Sequence, residues 1–510
     1  MGERVQKSLK NAKVGLLFYF LSILMAFFSR RIFLENLSVD FIGLTQTLLS
    51  ILSLLNISEM GFGTLIGYFL YKPIQMGDHK KITEVVSLFG WLTRWVGTFI
   101  GTASFIISLF FPWMFANTTL PLSIVYFSFY AFVGANIIGY FINYRQILLD
   151  SDQKTYMVSM YSQGGDLVKS LIQIFLAYYY KNLYLWVAIE FGYSLMTCLI
   201  LNHVIRREYP WLHTDRSRGR EILRQYPEIW VKAKQIVVHR LKNSLLSKSD
   251  EIMIFAFVSL KMVAYYGNYT MIVGKLTALF ANALAGLNAS VGNLVAEGHQ
   301  ANTMKVFWEL LGGRYMVTGV IVIFMAALLD PVIGIWVGPE YILSTEIVAL
   351  LLFNMYIMFT RPSVDLFVNA YGLYADTWAA WAEGGINLAV TIVCAWQWGL
   401  IGILLGKTVS MLLLVVLWKP YYLFRDGFHL PVRLYWTGVL RHIGVFLLCL
   451  AGMLAVKHVL AFHIAPDVLS VAKGALLLCL PTTAVYLLLL WLLTPGVRDL
   501  AHRLPFLRER

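Results

Sequence analysis

The sequence predicts an all-α, multi-pass membrane protein with about 14 transmembrane helices, arranged as two pseudo-symmetric six-helix bundles plus two extra C-terminal helices. The first observation is composition: 59% of the 510 residues are apolar and only 14% are charged, against about 25% charged in an ordinary soluble protein. The second is the distribution of basic residues among the loops, and the third is an internal repeat. Together they exclude a water-soluble enzyme, a disordered chain and a small domain on a single anchor.

The apolar residues fall into separate runs, each long enough for a membrane-spanning helix of about 20 residues. The first run follows a basic segment, residues 1–13, without a small-residue cleavage site, so we expect it to be retained as a span and not removed as a signal peptide. The runs are, in order, 12–34, 39–71, 84–111, 118–149, 154–179, 183–205, 238–260, 263–296, 303–329, 341–370, 376–396, 398–423, 434–460 and 466–494.

Loop charge predicts the orientation. The formal net charge is +13, and the basic residues lie mainly in alternate loops and at both ends of the chain, whereas residues 112–121 and 396–399 carry no charge. Cytoplasmic loops collect Lys and Arg, so both termini are expected in the cytoplasm. Arg30 and Arg31 break this pattern because they lie at the outer end of the first span. Charges in such positions are functional candidates.

A polar stretch and a repeat divide the chain into four parts. Residues 211–235 show apolar positions at helical spacing and predict an amphipathic helix on the inner membrane surface; a solvated linker is the alternative. Short matches recur about 224 residues apart at Ile42-Gly43 with Tyr266-Gly267 and Lys81-Ile82 with Lys305-Val306, and about 220 apart at Gln163-Gly164-Gly165 with Glu383-Gly384-Gly385. In transporters built from such repeats the substrate site lies between the halves. The predicted domains are 1–210, 211–235, 236–425 and 426–510.

Four ordered stretches resemble the flippases of polysaccharide biosynthesis, which translocate O-antigen or capsule repeat units and are related to multidrug exporters and to the lipid II flippase. The resemblance implies two six-helix bundles, and a substrate that is an oligosaccharide on a polyprenyl pyrophosphate, moved from the inner to the outer leaflet of the bacterial cytoplasmic membrane by alternating access. The multidrug branch usually has a proline in its first helix, and none is present here. The stretches are Ser29-Arg30-Arg31-Ile32-Phe33-Leu34-Glu35 with Phe41-Ile42-Gly43-Leu44; Ser58-Glu59-Met60-Gly61-Phe62-Gly63 with Tyr71-Lys72-Pro73; Asp250-Glu251-Ile252-Met253-Ile254 with Tyr266-Gly267-Asn268-Tyr269 and Gly292-Asn293-Leu294-Val295-Ala296-Glu297; and Glu383-Gly384-Gly385-Ile386-Asn387-Leu388.

A pyrophosphate cannot cross hydrocarbon unpaired, and Arg suits phosphate because its fork donates two hydrogen bonds. The candidate substrate-binding cations are therefore those in or near the spans: Arg30, Arg31, Arg94, Lys248 and Arg314. Adjacent helical residues point about 100° apart, so only one of the first two can face a cavity directly. The alternatives are snorkelling to headgroups for that pair and structural ion pairs for the others. Arg145 and Arg361 are expected to snorkel, and Pro362 should kink or end its helix.

The membrane-embedded acids are candidates for coupling transport to a proton or sodium ion, because a buried carboxylate can bind and release a proton. Glu59 and Asp250 are the main candidates, with Asp166 as a third. The alternative for Asp166 is an ion pair with Lys169, three residues along the same helix face. Lys248 and Glu251 have the same spacing.

No catalytic, metal or cofactor site is predicted. The four cysteines lie singly inside apolar runs, so they indicate packing rather than a disulfide framework. No Cys/His pair, phosphate-binding glycine loop or Ser/His/Asp arrangement occurs. The expected partners are the lipid-linked oligosaccharide, the bilayer, a coupling ion and the polymerase machinery, and not nucleic acid. Two rivals stay open: a cation-coupled small-molecule extruder of the same fold, and a membrane polymerase or ligase, which would need a larger outer loop.

Overall fold

The structure is a computed structural model, which describes residues 3–56, 62–225, 249–284, 287–373, 375–460, 462 and 464–503. Within these ranges the chain is helical and contains no strand. It divides into two compact units, Met1–Ala264 (unit 1) and Tyr265–Arg510 (unit 2). The predicted all-α class is confirmed.

Unit 1 consists of long helices joined by short turns. A 3-10 turn at Asn143–Arg145, a π-helical turn at Ser159–Gln163 and a second 3-10 turn at Arg216–Arg218 interrupt them. The helices are α1 Glu3–Leu37, α2 Val39–Leu55, α3 Phe62–Met76, α4 His79–Ser108, α5 Phe111–Met114, α6 Leu122–Ile142, α7 Gln146–Ser151, α8 Thr155–Val158, α9 Gly164–Tyr179, α10 Leu183–Glu208, α11 Gly219–Gln225 and, described over residues 249–257, α12.

Unit 2 begins within α13 and includes both C-terminal spans. A 3-10 turn at Pro339–Tyr341 and π-helical segments at Met411–Trp418, Leu423–Gly427 and Ala475–Cys479 separate its helices. These are α13 Leu260–Leu284, α14 Leu287–Ala296, α15 Gln300–Trp336, α16 Thr345–Thr360, α17 Pro362–Ala370, α18 Thr377–Trp398, α19 Leu400–Ser410, α20 Lys419–Tyr422, α21 Arg433–Val459, α22 Val468–Gly474, α23 Leu480–Leu493 and α24 Pro495–Arg503.

Eight of the described helical segments are long and apolar enough to cross a bilayer. They include Lys13–Leu37, Gln300–Trp336 and Arg433–Val459. The chain is therefore a multi-pass membrane protein. The remaining predicted spans correspond to helices that are shorter or more polar, such as α2 and α9, so the total of 14 stays a prediction.

Residues 249–264 pack on unit 1, although they follow the linker in sequence. The ring of Phe255 stacks on Phe115 with 4.7 Å between centroids. A Cβ atom at Gly43 of α2 would overlap the backbone carbonyl of Leu260, so only glycine allows this approach. Small residues serve the same purpose at helix contacts in membranes.

The segment predicted as an amphipathic helix, residues 211–235, is described as far as residue 225. Its helical part, α11, lies against α4: Ile222 is buried, and a Cβ atom at Gly219 would overlap the side chain of Trp91. Residues 226–235 lie outside the described part. The described half thus packs on unit 1.

The C-terminal spans pack along α15 in unit 2. The Tyr486 hydroxyl donates to the Tyr315 carbonyl at 2.8 Å, and its ring lies against Gly319. Arg503 forms an ion pair with the buried Glu309 at 3.0 Å. The expected break at Pro362 is confirmed, since α16 ends at Thr360 and α17 begins at the proline.

Candidate functional site

The adjacent arginines of α1 diverge, as helical geometry requires. Arg30 is half-buried and its Nη2 donates to the Ala264 carbonyl at 2.9 Å and to Gln46 Oε1 at 3.4 Å. Arg31 is exposed and its Nε forms an ion pair with Glu35 Oε1 at 2.9 Å. Of the two, Arg30 is the one that reaches into unit 1, and Arg31 lies on the outer surface beside a carboxylate.

The remaining cations and acids of the predicted site are dispersed. Arg94 is exposed on α4, and no ion pair involving it occurs in the described part of the chain. Arg314 is half-buried on α15, where Asp365 interacts with it electrostatically. Asp250 is buried on α12, with 6% of its surface exposed. Glu59 and Lys248 lie outside the described residues, and with Lys248 the predicted pair to Glu251.

Asp166 takes part in the ion pair that its spacing predicts. Its carboxylate lies 3.2 Å from Lys169 Nζ, which also contacts Glu190 at 2.7 Å. Gln173 donates to the second oxygen of Glu190 at 2.9 Å. The pair is confirmed, and the carboxylate with the more buried position is Glu190, not Asp166.

Arg361 does not snorkel, as the sequence led us to expect, but joins a network of charges in unit 2. Its Nε contacts Asp365 at 2.8 Å and its Nη1 contacts Glu383 at 3.4 Å, and Lys419 lies 3.2 Å from Asp365. The expectation was wrong because two carboxylates within the bundle lie closer than any aqueous phase. The four formal charges cancel, so the network is neutral.

A cavity of about 480 Å³ lies within unit 2 between α15, α16, the π-helical segment Met411–Trp418 and α21. Its walls are mainly aliphatic and aromatic side chains, among them Leu352, Phe446 and Leu450. It extends from Thr345 to Arg361 along α16, which at 1.5 Å per residue is roughly 24 Å. That length is close to the thickness of a bilayer core.

Charged and hydroxyl groups occur at both ends of this cavity. Thr360, Arg361 and Tyr435 line one end, and Asp330 and Lys457 the other. The middle is apolar, so the cavity has the chemistry of a slot for a hydrocarbon chain with polar ends.

Sequence reasoning missed this cavity and the long-range partners of the charges. The spacing of Arg361 and Asp365, four residues apart, was a usable signal for one pair. No local signal links either residue to Glu383 or Lys419. No group of His, Cys, Asp and Glu side chains suited to a metal ion occurs among the described residues.

At the inner end of unit 1 the linker begins with a capped turn. Asp215 accepts hydrogen bonds from the Ser217 hydroxyl at 2.6 Å and from its backbone N–H at 2.9 Å. These bonds to the charged form lower the pKa of Asp215 below its usual value.

Solved structures share this architecture. One is the lipid II flippase MurJ in an inward closed conformation, with a TM-score of 0.63 and 14% identity over 95% of this chain and 99% of MurJ. Another is an inward-facing multidrug resistance MATE family transporter of the MOP superfamily, with 0.53 and 12% over 80% of this chain and 94% of the transporter. The Vibrio cholerae MATE transporter VcmN gives 0.50 and 11% over 84% and 99%.

At these identities the likeness establishes the fold. No family model and no curated protein matches the amino-acid sequence. The resemblance inferred from the sequence motifs is confirmed at the level of the superfamily fold. The chain has the membrane-embedded fold shared by the flippases and exporters of the MOP superfamily.

Proposed function

We propose that this protein is a flippase that moves an oligosaccharide linked to a polyprenyl pyrophosphate from the inner to the outer leaflet of the bacterial cytoplasmic membrane, for O-antigen or capsule synthesis. The observation that carries the proposal is the likeness to MurJ over nearly the full length of both chains. We place both termini in the cytoplasm, because the basic loops fall on that side.

The extent of the likeness favours a flippase over a small-molecule extruder. The two MATE transporters are covered almost completely, yet they account for only 80% and 84% of this chain. The remaining fifth or sixth is about the size of the segment 426–510, whereas MurJ accounts for 95% of the chain. The extra helices therefore have a counterpart in a lipid flippase.

The cavity of unit 2 gives these extra helices a physical role. One of its walls is α21, which belongs to the C-terminal segment, and its lining is mainly apolar. A polyprenyl chain is long and apolar, and burying it against aliphatic walls is favourable by about 25 cal/mol per Å². A slot of this shape supports a substrate that carries a long hydrocarbon chain.

The pyrophosphate would be met by the candidate cations Arg30, Arg31, Arg94, Lys248 and Arg314. Arg30 is the strongest of these, since it is half-buried and reaches inward from α1. The coupling acid is proposed among Glu59, Asp250 and Asp166. Asp250 is favoured over Asp166, because Asp166 is largely exposed and paired with Lys169.

The direct test uses the full-length protein in vesicles that contain a fluorescent polyprenyl-pyrophosphate oligosaccharide, with an impermeant quencher added outside. Wild-type protein should expose the inner-leaflet lipid to the quencher much faster than protein-free vesicles do. Arg30→Ala should slow this about tenfold or more, because a hydrogen bond to a charged group is worth about 1.5–3 kcal/mol.

The matched control is Arg218→Gln, which removes an exposed arginine already paired with Glu221 at 3.1 Å. It should leave the rate unchanged. If wild-type vesicles were no faster than empty ones and instead accumulated a fluorescent organic cation, the extruder function suggested by the MATE likeness would replace this proposal. Normal rates in Arg30→Ala would remove that residue from the site.

A further inference from the structure

Two arginines meet on one tyrosine just beyond the inner end of α6. The guanidinium carbon of Arg216 lies 4.2 Å from the centroid of the Tyr144 ring. Arg145 donates from Nε to the Tyr144 hydroxyl at 3.2 Å and from Nη2 to Thr214 Oγ1 at 2.9 Å. Arg216 donates from Nη2 to the Phe141 carbonyl at 2.7 Å. Arg145 was expected to snorkel but is instead held by protein groups.

Every protein partner of this pair is neutral. In the described part of the chain no carboxylate oxygen lies within 4.0 Å of either guanidinium. The nearest acid in sequence, Asp215, is turned to Ser217, which donates two hydrogen bonds to it. Like charges in contact repel, so the arrangement calls for a counter-ion that the surrounding protein does not supply.

The pair is held in place by close packing. Tyr144 is buried, and its ring fills the space beside Gly90 of α4, where a Cβ atom would overlap it. The backbone N–H of Asp215 donates to Ser87 Oγ at 3.0 Å. The linker is therefore anchored on both sides of Thr214, and a ligand would meet arginines that are already positioned.

Both arginines keep donors for a ligand. A guanidinium carries five N–H groups, and the bonds within the protein involve Nε and Nη2 of Arg145 and Nη2 of Arg216. Both side chains are partly exposed. Arg94 follows Gly90 by one turn on the same face of α4, so a third cation lies nearby.

We propose that Arg145 and Arg216, stacked on Tyr144, form a phosphate-binding site at the inner membrane surface. Two forked donors match the paired oxygens of a phosphate. The ligand is a phosphate group of either an anionic phospholipid headgroup or a free phosphate in the cytoplasm. This site does not depend on the proposed transport substrate.

The test measures thermal unfolding of the full-length protein in nanodiscs. One arm replaces phosphatidylcholine with phosphatidylglycerol; the other adds inorganic phosphate to phosphatidylcholine discs, with chloride at equal ionic strength as reference. Wild-type protein should be stabilised in at least one arm. Arg145→Gln with Arg216→Gln should weaken that response about 30-fold in ligand concentration, since each basic residue near a lipid surface contributes about fivefold. Arg218→Gln, paired with Glu221, should respond as wild type does.

A response to phosphatidylglycerol alone identifies the lipid headgroup as the ligand, and a response to phosphate alone identifies the free anion. The absence of both responses in wild type, or an equal response in the double Gln variant, would overturn the site. If that variant does not fold, Arg145→Lys with Arg216→Lys replaces it. A weaker response supports the forked contact, because Lys cannot bind two oxygens in the same way; an unchanged response would refute it.

Discussion

The ion network of unit 2 makes a quantitative prediction about Asp365. This carboxylate contacts both cations of the network, Arg361 at 2.8 Å and Lys419 at 3.2 Å. Asp365→Asn keeps the size of the side chain but removes its charge. The two cations then share only Glu383, which lies 3.4 Å from Arg361, and the network acquires one uncompensated positive charge.

Removing one partner of a buried ion pair costs about 3–5 kcal/mol. Asp365 is 27% exposed, so we expect the lower end, about 3 kcal/mol. For a domain of about 250 residues, each kcal/mol lowers the midpoint of thermal unfolding by roughly 2–4 °C. Asp365→Asn should therefore unfold about 6–12 °C below wild type.

The assay is thermal unfolding of the purified protein in detergent, followed by tryptophan fluorescence. Asp166→Asn is the matched control, because Asp166 is 65% exposed and Lys169 keeps Glu190 as its partner. Its midpoint should change by less than about 2 °C, as for other exposed pairs. Equal losses in the two variants would refute the view that the network is buried and balanced. Adding Lys419→Met to Asp365→Asn should recover part of the loss, because it removes the unpaired charge.

Two further predictions concern a close contact and a capped turn. Gly43→Ala should lower the midpoint of thermal unfolding by several degrees, because its methyl group would overlap the Leu260 carbonyl and overpacking costs about 1–3 kcal/mol; Gly15→Ala, where the added atom meets nothing within 4 Å, should not, and equal effects would contradict the contact. Asp215→Ala should speed hydrogen exchange at the Ser217 amide near pH 7. The lowered pKa of Asp215 means that its contribution is present above about pH 4 and is lost as the pH falls through the folded-state pKa, so the difference in protection should vanish in acid; a difference that persisted there would contradict the cap.

Local patterns predicted the features that depend on solvent and on helix geometry. The apolar composition predicted a helical membrane protein, because only helices and closed barrels satisfy every backbone group in lipid. The interruption at Pro362 followed from the missing N–H and the fixed φ of proline. The contact between Asp166 and Lys169 followed from their spacing of three residues on one helix.

The long-range partners depended on how the helices pack. Arg361 meets Glu383 and Lys419, which lie on other helices, and residues 249–264 pack on the unit that precedes them in sequence. Hydropathy reports how often a helix meets lipid or protein, but not which turn of one helix faces which turn of another. That register is set by close contacts such as Gly43 against Leu260 and by the pairing of buried charges. The sequence alone therefore determined the solvent and the secondary structure of this protein, whereas the charge network, the apolar cavity and the arginine pair on Tyr144 exist only once distant helices are in contact.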